Sequence, residues 1–136
     1  MFYSTESSYR FERGVDPSTT LEHIERITEL VVTICGSDQT TVGALDDYQP
    51  NVPAIRPVAL RASRAAKVIG MPLTKDDCRK ALSSLGLQVA DDAADSDKLV
   101  VTPPAYRFDL QIEEDLIEEV VRTMGYDNLA TTKPLA

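Results

Sequence analysis

Five carboxylates crowd into a short stretch near the end of the chain: Glu113, Glu114, Asp115, Glu118 and Glu119, with Asp109 just ahead and Arg122 just behind. On a helix advancing about 100° per residue, Glu114, Asp115, Glu118, Glu119 and Arg122 fall on one side. Ile112, Leu116, Ile117, Val120, Val121 and Met124 fall on the other. Asp115 then meets Glu118 at i+3 and Glu119 at i+4, where like charges repel by about 0.2–0.5 kcal/mol per pair. Such crowding has two readings. In one, the acids form a solvated face: the first turns favour negative charge through the helix dipole, and Arg122 pairs back to Glu118 or Glu119. In the other, the carboxylates and Asp109 surround a hard divalent cation, since Mg²⁺ prefers oxygen ligands and keeps several waters. Glu113 falls inside the apolar arc, so either the helix begins just after it or Glu113 meets a partner.

Little else in the chain promises chemistry. His23 is the single histidine, and Cys35 and Cys78 stand far apart with no CxxC pairing. A zinc site is therefore not expected, and the two thiols fit a reducing cytosol. There is no Gly-rich phosphate loop and no His–nucleophile pairing, so no catalysis by this chain alone is expected. The net charge of −8 argues against a free-standing nucleic-acid binder, because phosphate neutralisation needs surplus Lys and Arg. Residues 1–56 carry 4 basic and 9 acidic side chains and residues 57–136 carry 10 and 13, so the charge is unevenly spread. The stretch 61–80 is locally basic, and Arg61, Arg64 and Lys67 at roughly helical spacing are the candidates for nucleic-acid contact. Three such residues are more often just the solvated face of a short helix. No apolar run reaches the ~18 residues that span a bilayer, and no signal-peptide pattern opens the chain.

The elements that must position these residues can be read from periodicity and punctuation. A helix is expected over 17–35, with Asp16 as its cap, Pro17 at its first position and Gly36 ending it. Leu21, Ile24, Leu30, Val31 and Ile34 form its apolar side, which has no partner within its own short segment. A short strand is expected over 40–45. Pro50, Pro53 and Pro57 mark 49–57 as a stiff linker and domain boundary. Beyond it the pattern is α+β: a strand at 58–60, a helix capped by Ser63 and ending at Gly70, and a helix opened by Thr74-x-x-Asp77 and stopped by Gly86. Strands at 87–89 and 99–102, joined by an acidic loop over 91–97, precede a third helix at 112–124 closed by Gly125. Three helices and a small sheet give a winged-helix-like outline.

Two blocks point to a family. Arg10-Phe11-Glu12-Arg13-Gly14-Val15-Asp16-Pro17 is an unusual octapeptide. Near the other end stand Pro104-x-x-Arg107-Phe108-Asp109, then Glu114-Asp115-Leu116-Ile117-Glu118-Glu119-Val120 and Arg122-x-x-Gly125-Tyr126-Asp127-Asn128. In this order and separation, with Leu60-Arg61, Ile69-Gly70 and Leu82-x-x-Leu85-Gly86 between, they resemble the β subunit of bacterial phenylalanyl-tRNA synthetase. The resemblance implies a cytoplasmic fragment of a longer subunit. Residues 1–48 resemble the C-terminal end of the B3/B4 editing domain, 49–57 a linker, 58–131 the B5 domain, and 132–136 the start of the next linker. It further implies an α2β2 enzyme that joins phenylalanine to tRNA(Phe) with ATP and Mg²⁺. Aminoacylation is centred in the α subunit, so ATP is used by the parent enzyme and not bound here. The family's magnesium ligands, shared with the α subunit, resemble Asp109, Asp115, Glu118 and Glu119. Thr5 and Ser7 resemble one wall of the editing pocket, where the family often has Ala in place of Ser7. Arg10, Glu12 and Arg13 are expected to be structural, at a strand end tied by ion pairs. The implied role is a non-catalytic structural and interface module without a membrane anchor. The competing reading is a winged-helix-like nucleic-acid binder using Arg61, Arg64 and Lys67.

Overall fold

The computed structural model describes residues 5–129. The outer ends of the domains expected at 1–48 and 58–131, and all of 132–136, lie outside the described residues. The chain divides into two compact units between Ala54 and Ile55, within the proline-bearing segment.

In the first unit, helix α1 (Glu6–Glu12) starts at Thr5, whose hydroxyl accepts the Ser8 N–H. The structure corrects the expectation of a strand end around Arg10, Glu12 and Arg13. Local pairs sustain a helix instead: Arg10 with Glu6 four residues back, and the Arg13 guanidinium 4.0 Å from the centre of the Tyr9 ring. The chain then turns at Gly14, and Asp16 caps a 3₁₀ turn, Pro17–Thr19, by accepting the Ser18 N–H. Helix α2 (Thr20–Cys35) follows at once and stops at Gly36. No strand forms over 40–45. A strand needs a neighbour for its N–H and C=O groups, and none of the described residues of this unit offers one. No described residue of the unit is buried, and Leu21, Ile24, Leu30, Val31 and Ile34 all remain exposed.

The second unit closes around its own core. Strands β1 (Val58–Arg61), β2 (Gln88–Asp91) and β3 (Lys98–Thr102) form an antiparallel sheet in the order β1-β3-β2. Val58 faces Val101 and Leu60 faces Leu99 across the β1–β3 ladder, and all four are buried. Their outward neighbours are less buried, the period of two that a one-sided sheet requires. Helices α3 (Ala62–Ile69), α4 (Lys75–Ser84) and α5 (Glu113–Met124) cover the inner face with Ala65, Cys78, Leu82, Leu116, Ile117 and Val120. The unit is thus α+β, three helices against a small sheet.

The caps differ from the expected ones at α2, which begins behind the 3₁₀ turn that Asp16 caps, and at α3. Thr74 and Asp77 form the full reciprocal capping box of α4. By contrast α3 begins at Ala62 and is not capped by Ser63. The Ser63 N–H donates to Asp97 Oδ1 at 3.0 Å, and the Ala62 N–H to the Asp97 carbonyl at 3.0 Å. A residue of the β2–β3 loop therefore supplies the cap. At the other end Gly70 takes φ +79°, the left-handed conformation that lets its N–H close the helix on Ala66.

Candidate functional site

Helix α5 presents its acids in three separate directions. Its N-terminal turn reaches toward the basic end of β1. Glu113, which the wheel placed awkwardly on the apolar side, accepts the Arg61 backbone N–H at 2.8 Å and the Arg61 guanidinium at 3.1 and 2.7 Å. Arg64 Nε lies 3.2 Å from the same carboxylate but out of hydrogen-bonding alignment, while Arg64 Nη2 bonds Glu114. The hydrogen bond from Arg61 holds the Glu113 carboxyl below its ordinary range, against a smaller desolvation that pushes the other way. Two of the three residues considered for nucleic-acid contact are therefore occupied with α5. Lys67 is exposed.

Asp115 serves the start of its own helix. Its Oδ2 accepts the N–H groups of Gln111 and Ile112, each at 2.8 Å, two donors that a helix start otherwise leaves orphaned. Ile112 has no acceptor to return the favour, so this is half a capping box.

The third direction is the flank that packs against the 103–109 segment. Arg107 bonds Asp109 Oδ1 at 2.9 Å and Asp109 Oδ2 at 2.7 Å. Its Nη2 also reaches Glu119 Oε1 at 2.6 Å. Arg122 closes the other side of Glu119, with Nε 3.1 Å from Oε2. Glu119 is 7% exposed, so the wheel's polar side is not its environment. Burial alone pushes its carboxyl up, but hydrogen bonds from Arg122 and Arg107 outweigh that and leave it below the ordinary range. The hydrogen bond from Arg107 likewise lowers Asp109. Arg107 is raised, chiefly by Asp109.

Of the four acids that resemble magnesium ligands, Asp109 and Glu119 share one guanidinium, Asp115 caps the helix, and Glu118 is exposed. No three acidic, His or Cys side chains converge on a metal-sized site among the described residues. The donor set in this chain does not fit a divalent ion by itself. Thr5 caps α1, and Ser7 lies exposed on that helix; both are on the surface. Arg107 and Asp97 are the organising residues that spacing did not single out. The signal for Arg107 was its place two residues before Asp109.

The tRNA synthetase B5 domain family matches residues 58–126, which span the sheet and all three of its helices. The chain is also similar, along nearly its whole length, to proteins named phenylalanine–tRNA ligase beta subunit. It is 46% identical over 134 residues to that of Burkholderia pseudomallei (strain 1710b), covering 98% of this chain and 16% of the relative. It is 47% identical over 135 residues to that of Cupriavidus pinatubonensis (strain JMP 134 / LMG 1197). Against that of Bordetella pertussis (strain Tohama I / ATCC BAA-589 / NCTC 13251) it is 42% identical over 134 residues. The chain thus spans about one sixth of the length of these relatives, 16% in each case.

Proposed function

Because the chain belongs to the tRNA synthetase B5 domain family, we propose that it is a non-catalytic structural and interface segment of a phenylalanine–tRNA ligase beta subunit. The observation that carries this reading is that the alignments, 42–47% identical overall, extend over 98% of the chain and so take in both units, not the B5 match alone. In this reading residues 1–48 are the C-terminal end of the B3/B4 editing domain, 49–57 a linker and 58–131 the B5 domain. The parent enzyme charges tRNA(Phe) with ATP and Mg²⁺ in the cytoplasm as an α2β2 tetramer. The exposed apolar side of α2 supports the first assignment, because an amphipathic helix needs a surface to cover it. No helix among the described residues is long and apolar enough to cross a membrane.

The segment's work is to dock. Glu114, Glu118 and Arg122 form the outward face of α5 and are the groups offered to the alpha subunit. A magnesium ion on Asp109, Asp115, Glu118 and Glu119 would need Arg107 and Arg122 to release their carboxylates and the alpha subunit to supply ligands. No step of the proposed role passes through it. A magnesium titration of the alpha-bound segment, native against Glu118→Ala and Glu119→Ala, tests the ion: equal binding by all three removes it.

Competition tests the docking itself. The 136-residue chain should displace full-length beta subunit from the alpha subunit, and failure to compete at any excess overturns the interface reading. A winged-helix-like nucleic-acid binder is the weaker alternative. Arg61 and Arg64 are held by Glu113 and Glu114, and Asp76 and Asp77 stand beside Lys80 on the exposed side of α4. A binder of that kind shifts tRNA or duplex DNA at low salt and loses it steeply as salt rises.

A further inference from the structure

We infer that Arg107 takes, as part of the chain, the place of a cation between Asp109 and Glu119, making this carboxylate set a metal-independent lock of segment 103–109 onto α5. Both oxygens of Asp109 and Oε1 of Glu119 are turned to the one guanidinium, and Oε2 of Glu119 to Arg122. The segment is pinned at both ends by buried residues, Pro103 and Leu110, and Arg107 fastens its middle.

Three physical arguments favour the guanidinium over a dication in this chain. Arg107 cannot deprotonate to make room, and displacing it would leave a largely buried positive charge beside a second one. Mg²⁺ demands near-octahedral oxygen geometry and gives up its waters reluctantly, whereas a planar guanidinium matches two carboxylates with fixed forks. Asp115 could offer such an ion at most one oxygen, because its Oδ2 already accepts two helix-start N–H groups. The lock sets where Tyr106 and Phe108, which flank Arg107, are held relative to α5.

The 136-residue chain is melted in millimolar Mg²⁺ and in EDTA at matched ionic strength. The expected result is one midpoint in both, and no line broadening of the amides of 107–122 when Mn²⁺ replaces Mg²⁺. A Mg²⁺-dependent rise of the native midpoint that Glu119→Gln abolishes overturns the inference. Arg107→Met should lower the midpoint by about 10 °C or more, as removal of one partner of a buried pair does. It should also create a Mg²⁺ response that the native chain lacks. A midpoint equal to native overturns the lock. Should Arg107→Met not fold, Arg107→Lys keeps the charge without the fork; it should melt below native and gain no stability from Mg²⁺ beyond that of salt, and a midpoint equal to native overturns the lock.

Discussion

Glu119 sits almost wholly out of water between Arg107 and Arg122, while Glu118 beside it faces solvent. Removing one partner of a buried pair strands the others, so Glu119→Ala should cost about 3–5 kcal/mol in urea unfolding of the second unit. Glu118→Ala should stay within about 0.5 kcal/mol. Equal losses would mean that both carboxylates are solvated. Glu113 makes the corresponding pH prediction. Its folded carboxyl lies below the ordinary range because Arg61 donates to it, so its contribution is present above the unfolded value near 4.5 and lost as pH falls through the lower, folded value. Glu113→Gln should therefore flatten part of the acid-side fall in midpoint while lowering the midpoint at neutral pH. The residue types of this network were legible in the sequence, and so was the misfit of Glu113 with its apolar neighbours. Its partners were not, because Arg61 lies 52 residues away and only the closed sheet brings the two together. Nor could spacing place Glu119, whose burial depends on the loop arginine that neutralises it.

At the scale of elements, local signals served where both halves of an interaction lie within one turn. Thr74 and Asp77 sit three residues apart and form the expected box, and Gly70, Gly86 and Gly125 take the positive φ that ends or turns each segment. They failed where the second half is remote. Ser63 looked like a cap, yet the acceptor at the start of α3 is Asp97, 34 residues on. The acidic loop before β3 is thereby explained as a turn with internal bonds, for Asp92 accepts the N–H groups of Ala94 and Asp95, and Asp97 serves α3. Asp97→Ala should destabilise the second unit by about 1–2 kcal/mol, the usual effect of losing an N-cap. Ser63→Ala, which leaves the backbone acceptor in place, should do less than half of that. The opposite order in thermal unfolding would return the cap to Ser63. Gly70→Ala should cost about 1–2 kcal/mol from the left-handed backbone alone, since nothing crowds its added methyl.

Across the whole molecule, the division between a closed core and an uncovered helix decides which amides are protected. Opening β1, β3 or the inner turns of α5 exposes Leu60, Leu99, Val101, Leu116 and Val120 together, so their exchange should require unfolding of the second unit. Helix α2 has 16 residues, near the length at which an isolated helix is marginal in water, and none of them is buried. The strand foreseen at 40–45 failed for a related reason: a single extended segment has no ladder to join. Hydrogen exchange on the 136-residue chain should thus show slow amides over β1, β3 and α5 and fast ones over α2. Placing the same α2 within a full-length beta subunit should slow its amides by about a hundredfold or more, since burying Leu21, Ile24 and Val31 against a neighbour stabilises the helix by about 1.5–3 kcal/mol per side chain. Exchange over α2 that is equally fast in both proteins would mean that its apolar side stays uncovered, and would remove the assignment of the first unit to a larger editing domain while leaving the B5 assignment of the second untouched.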